Sequence, residues 1–310
     1  MGAIIDPTGN GISQLQHTIS KTKAFFSKFI NASISQGTKW TAITSVIKPA
    51  ILYPLVNIYY SEKEFQPLNS VTTQMKCIAL GLNRHCPYAV LHGPLSLGGI
   101  GIPSSYQKTT LNRINYFLYN VHCESTIKWE FDISIIYRQM EVGTSRNFFL
   151  IPFDKYGHLP TPTYCVQLWH ELEPYGAHLV PASNVTWCLT TISSNDLPLM
   201  EVAVHAYNRK GSKMINHCRM FLQLISILLY SKKTIHPAYK AGDVPLSHIP
   251  KISRPAIPRP PKYYWKLWSS FLYLHIELYL CSTPIQWIKT PSLHFFPTTT
   301  NIDTHIIFID

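Results

Sequence analysis

LGLNRHCPYAVLHGPLSLGGIGIP, residues 80–103, is the stretch on which the fold turns. An apolar helical pattern stops at Leu82, and the planar donors Arg84 and His85 follow at once. Glycine–proline corners then bracket the Gly-rich run Gly98-Gly99-Ile100-Gly101. A new helical pattern opens at Ser104 or Ser105, both good capping residues. The Gly-rich run lacks the preceding strand and the glycine spacing of a dinucleotide fingerprint. It reads as a tight corner between two helices. Helices on both sides of such a corner predict a mainly α fold.

Working upstream, Pro67 is a favoured first-turn residue, and Leu68, Val71, Met75, Ile78 and Leu82 share one helical face after it. Trp40, Ile43, Val46 and Ile47 form an earlier helix with Thr38 as its cap. Pro49 and Pro54 predict that this helix is kinked or divided. Ile12, Leu15, Ile19, Phe26 and Ile30 predict a first helix running to about Ser35. Before it, Gly2–Ile5 reads as a strand and Asp6–Gly11 as a turn.

Working downstream, Leu111, Ile114, Leu118 and Val121 mark one helix, and residues 125–142 another. Residues 148–153 and 185–192 read as strands, residues 193–196 as a cap or turn, and 164–172 as a short buried helix. Helices over 197–207 and 214–229 flank a polar, basic loop at 208–213. Residues 241–261 form a Pro-rich connector, and 263–281 an aromatic-rich amphipathic helix. The divisions fall at 1–122, 123–245 and 246–310.

The chain has 310 residues, 46% of them hydrophobic, enough to bury a core in one large or two smaller domains. Charged residues are only 14%, which excludes a disordered polyelectrolyte. The net charge is +11 and uneven: +4 over residues 1–60, +3 over 61–120, −3 over 121–180 and +5 over 181–240. Basic stretches separated by an acidic one fit a surface that meets a polyanion on some faces only. The seven cysteines form no Cys-x-x-Cys pair, which fits a reducing compartment rather than a disulfide framework. No basic leader precedes an apolar run, and no uninterrupted apolar segment reaches the roughly 20 residues of a membrane span. An intracellular chain without a membrane partner is expected, nucleus and cytoplasm both remaining open.

Lys21, Lys28, Lys39 and Lys48 fall on the first two helices as candidate phosphate contacts, with ordinary solvated faces as the plainer reading. Arg84 and His85 are read either as phosphate or base contacts or as cations relieving a helix C-terminus. Arg209, Lys210, Lys213 and Arg219 form the densest basic cluster, a second candidate nucleic-acid surface. Basic residues alternate with prolines over 251–262, and Tyr263, Tyr264, Trp265 and Trp268 follow, which suits a single strand or a docking partner. No Cys or His pair stands at ligand spacing with His217 and Cys218, and no Gly-x-Ser-x-Gly elbow occurs.

Three patches together resemble the thumb and post-thumb region of eukaryotic retrotransposon reverse transcriptases. Residues 1–9, Met-Gly-Ala-Ile-Ile-Asp-Pro-Thr-Gly, resemble the hairpin and turn that follow the catalytic palm. Residues 80–103 resemble the glycine-rich block, with Gly93-Pro94 and Gly98-Gly99-Ile100-Gly101 as its most specific letters. Residues 215–223, with Trp265 and Trp268, are similar to the helix and Trp-rich region further on. The resemblance implies a helical thumb-like bundle followed by a helical domain with a few short strands. It also implies RNA-directed DNA polymerisation as the family activity and an RNA/DNA template-primer as partner, gripped by the residues named above. The family's Mg²⁺ is held by palm carboxylates that include an Asp-Asp pair, and this chain has no such pair. The chain is therefore expected to hold no cofactor and to lack catalysis alone, with palm and fingers upstream or in trans. Two other readings stand beside it: a protein-interaction module docking through residues 251–281, and a non-functional pseudogene product.

Overall fold

The computed structural model describes residues 11–58, 60–123, 125–181, 198–222, 257–277 and 304–308. The strands expected at 2–5 and 185–192, the turns at 6–10 and 193–196, the helix end at 223–229 and the connector before residue 257 lie outside these. Within them the fold is mainly α, and the chain divides into two compact units, Met1–Tyr119 and Asn120–Asp310.

The first unit begins with α1, Ile12–Ile30, which stops five residues short of the expected Ser35. Helix α2, Gln36–Ala42, is capped by Ser35, whose hydroxyl accepts from the Thr38 backbone, so Thr38 lies inside the first turn rather than capping it. A π turn over Ile43–Ile47 joins α2 to α3, Lys48–Leu55. Pro49 has no N–H to return to the carbonyl four residues back, and its ring crowds that carbonyl. The widened turn just before it accommodates both, with the Lys48 N–H reaching back to the Ile43 carbonyl. The extra residue turns the face of α3 by about 100° relative to α2.

Helix α4 covers Glu62–Ala79 and starts five residues before Pro67. Ser61 and Glu64 make a reciprocal capping box: the Ser61 hydroxyl accepts from the Glu64 N–H while the Glu64 carboxylate takes the Ser61 N–H at 2.6 Å. That cap outweighs Pro67, which the helix accommodates internally. Leu15, Phe29, Ile47, Leu55, Tyr60, Phe65, Leu68 and Met75 close the core of this unit, with Trp40 packed partly buried against it. Each fully buried apolar side chain there is worth roughly 1.5–3 kcal/mol.

Helix α4 ends in a Schellman motif: Leu82 donates to the Cys77 carbonyl, and Gly81, at φ +70°, donates to that of Ile78. The Gly-rich block then folds onto itself around the short helix α5, Tyr88–His92. Ile100 donates to the Val90 carbonyl, Gly101 to that of Gly93, and Ile102 to that of Leu91. A Cβ on Gly99 would lie 2.2 Å from the Gly93 oxygen, so only glycine allows this approach. The block is a corner, as its sequence predicts, and it delivers the chain to α6, Ser105–His122. On α6 the buried face is Ile114, Phe117 and Val121, while Leu111 is exposed.

The second unit contains α7, Thr126–Val142, capped by Ser125. Residues 148–153, expected as a strand, form a 3₁₀ turn at Phe148–Leu150 that leads into the short helix α8, Phe153–Tyr156. Helix α9 spans Tyr164–Leu172, as predicted. Strand β1, Ala177–Pro181, pairs antiparallel with β2, Thr304–Phe308, placing Ala177 opposite Phe308. Helix α10 is Leu199–Ala206, and α11, Arg209–Leu222, takes in the helix expected from 214 and starts five residues earlier, inside the segment expected as a loop. The Asn208 side-chain oxygen accepts from the Gly211 N–H, which caps α11 at that point. Helix α12, Lys262–Phe271, packs on α11 and continues as a π turn to Glu277.

Candidate nucleic-acid interface

Helix α4 carries a polar line, Asn69, Thr72 and Lys76, along a face otherwise made of Leu68, Val71 and Met75. The start of α6 docks against that line. Ser105 donates its N–H to the Asn69 side-chain oxygen at 3.2 Å and its hydroxyl to Thr72 at 2.8 Å. Ser104 and Gln107 cap α6 reciprocally, each side chain accepting the other's backbone N–H at 3.1 Å. Lys76 is 7% exposed, and its ammonium donates to the Pro103 carbonyl at 3.0 Å.

Lys48, the first residue of α3, and Lys108, on the first turn of α6, line the same cavity as Lys76. The cavity holds about 30 Å³; the three lysines, Thr72, Ser104 and Ser105 make one half of its lining, and Ile43, Ile47, Ile51, Leu52, Met75 and Pro103 the apolar other half. That is room for one or two water-sized groups, the scale of phosphate oxygens and not of a nucleobase. Among the described residues no carboxylate pairs with Lys76. Burial, and then repulsion from Lys48, push its pKa down to about 8. The first turn of α6 lines the same space through Ser105 and Lys108. Next to it, His92 is tied to the Ile102 carbonyl, and burial, with the Lys76 charge adding to it, lowers its pKa. An anion entering here would repay the desolvation of Lys76.

Of the ten site residues expected from the sequence, Lys48 is the one that joins this cluster. Lys76 and Lys108 complete it. Lys21 and Lys28 are exposed on α1, and Lys39 holds its ammonium 5.9 Å from the Phe29 ring. Arg84 and His85 are exposed in the turn after α4, Arg84 donating to the His85 ring at 3.1 Å, while the Schellman motif satisfies the helix end.

In the second unit Arg209, Lys210 and Lys213 are exposed on the first turns of α11, with Arg209 donating to the Asp154 carbonyl. Arg219 corrects the expectation of a surface contact. It is 1% exposed and donates to the Asn216 side chain at 2.9 Å and to the Met140 and Glu141 carbonyls that end α7. Its charge is consumed as a C-cap. Trp265 and Trp268 are likewise buried, with Trp265 edge-on to Phe221 of α11, and are core rather than docking surface.

Among the described residues no three His, Cys, Asp or Glu side chains are grouped to hold a metal ion, and no described helix is long and apolar enough to cross a membrane. Comparison of the chain with protein-family models, with curated proteins and with solved structures finds no match.

Proposed function

We propose that this chain binds nucleic acid through its first unit, as a thumb-like fragment of a retroelement reverse transcriptase whose palm and fingers are supplied elsewhere. One observation carries this reading: Lys48, Lys76 and Lys108 line one small cavity at a helix start, and no carboxylate among the described residues pairs with Lys76. Its role is to grip the backbone of an RNA/DNA template-primer; the chain contributes charge and position, and no chemical step. The sequence resemblance supports the family, and the basic balance of residues 1–120 supports the polyanionic partner.

The test is the salt dependence of oligonucleotide affinity, measured by fluorescence anisotropy. The logarithm of affinity should fall linearly with that of salt concentration, and Lys48→Ala and Lys108→Ala should each flatten the slope by about 1. Binding that ignores salt, or that both variants leave unchanged, would sink the reading.

A further inference from the structure

The corner after α4 brings two thiols together. Cys77 lies in the last turn of α4 and is fully buried, while Cys86, nine residues on, is partly exposed. The chain between them reverses twice. The Schellman motif returns the Leu82 N–H to the Cys77 carbonyl, and a turn then closes from the Cys86 N–H to the Asn83 carbonyl. These reversals carry Cys86 back to the helix end, where the two thiols make a side-chain hydrogen bond. Cys165 and Cys218 in the second unit are a contrast: both are fully buried, and burial pushes each thiol up to about 12, which makes them inert.

We infer that Cys77 and Cys86 form a reversible oxidation site, a disulfide latch on the corner between α4 and α5 that a peroxide closes and a dithiol opens. The inference goes beyond nucleic-acid binding and does not depend on it. Cys86 is the thiol that solvent reaches, so it meets the oxidant. Its sulfur attacks one oxygen of hydrogen peroxide, the O–O bond breaks, and the departing hydroxide takes the thiol proton and leaves as water. Cys86 is then a sulfenic acid. Cys77 attacks that sulfur, the S–S bond forms, and hydroxide leaves with the Cys77 proton as a second water. Two thiols and one peroxide thus give one disulfide and two waters. Burial, and then Cys86 itself, raise the Cys77 pKa, which suits Cys77 to the second step and not the first. Closure needs the sulfurs to move only from hydrogen-bond contact to about 2 Å. The bond ties the helix turn that carries Lys76 to the start of the glycine block and restricts the unfolded chain.

The experiment treats the folded full chain with hydrogen peroxide, blocks the remaining thiols and maps its peptides by mass spectrometry without reduction. Trypsin cuts after Lys76, Arg84 and Lys108, so the bond would join peptide 77–84 to peptide 85–108. The oxidised chain should show that pair, lose it to dithiothreitol, and unfold at a higher urea concentration than the reduced chain. Cys86→Ser, at a partly exposed position that the fold tolerates, should remove both the pair and the rise. Cys77→Ala should leave Cys86 without a partner, so that it oxidises onward to the sulfinic acid. Cys86 found as a sulfinic acid in the parent, or joined to any other cysteine, overturns the latch. So does a rise in the urea midpoint that survives Cys86→Ser, or a 77–86 bond that leaves the midpoint unmoved.

Discussion

Each unit buries a long cation, and the two treat it in opposite ways. Arg219 in the second unit is 1% exposed, and its guanidinium is spent on a side-chain oxygen and two backbone carbonyls at the end of α7. Lys76 in the first unit is 7% exposed and has the Pro103 carbonyl, with Lys48 and Lys108 as neighbours in its cavity. A cation whose donors are committed to carbonyls is an architectural part, and its loss orphans the groups it served. A cation held among like charges is a cost to the fold, borne where a ligand will offset it. The first unit contains its own internal contrast, because Arg113, also 1% exposed, is settled over the Tyr60 ring at 4.0 Å.

The sharpest way to break this comparison is to remove both cations. Arg219→Met should destabilise the second unit by roughly 3–5 kcal/mol, since buried carbonyls and Asn216 lose their donor. Urea unfolding would show it, and a loss below about 1 kcal/mol would mean the guanidinium is not structural. Lys76→Met should move the other way: stability unchanged or raised, and oligonucleotide affinity down about tenfold. A strongly destabilised Lys76→Met protein with intact binding would reverse the assignment.

The pH dependence sharpens the same point with a smaller effect. The folded pKa of Lys76 lies near 8 and the ordinary value for a lysine is 10.5, so between those limits the unfolded chain binds more protons. Stability should therefore rise with pH across that window. Affinity for a polyanion should fall as pH passes 8, and binding near that pH should take up protons, which calorimetry in buffers of differing ionisation enthalpy would detect. Lys76→Met should abolish the uptake. The smallest effect expected is that of Ser61→Ala. Loss of the α4 cap should cost about 1 kcal/mol without changing affinity, which would separate stability from binding within one unit.

The helices were legible where apolar spacing and a cap agreed, as in α7 with Ser125, and where a short run was apolar on nearly every side, as in α9. They were misread where one signal masked another. Pro67 masked the Ser61–Glu64 box that precedes it, and the basic character of 208–213 hid the Asn208 cap. Residues 148–153 are apolar but too short for periodicity to separate strand from turn. The lysine cavity was only half legible. Lys76 stands with Asn69 and Thr72 as a polar line on an apolar helix face, a local signal that something polar packs there. That Lys48 and Lys108 would meet it depends on the π turn and on the folded glycine block, which no spacing rule foretells.

The depressed pKa of Lys76 also has a chemical consequence. At pH 7.4 about a fifth of its amine is neutral, against about a thousandth for a lysine at 10.5. A neutral amine is a nucleophile. A bound anion would return the amine to its protonated form, and so quench that nucleophile.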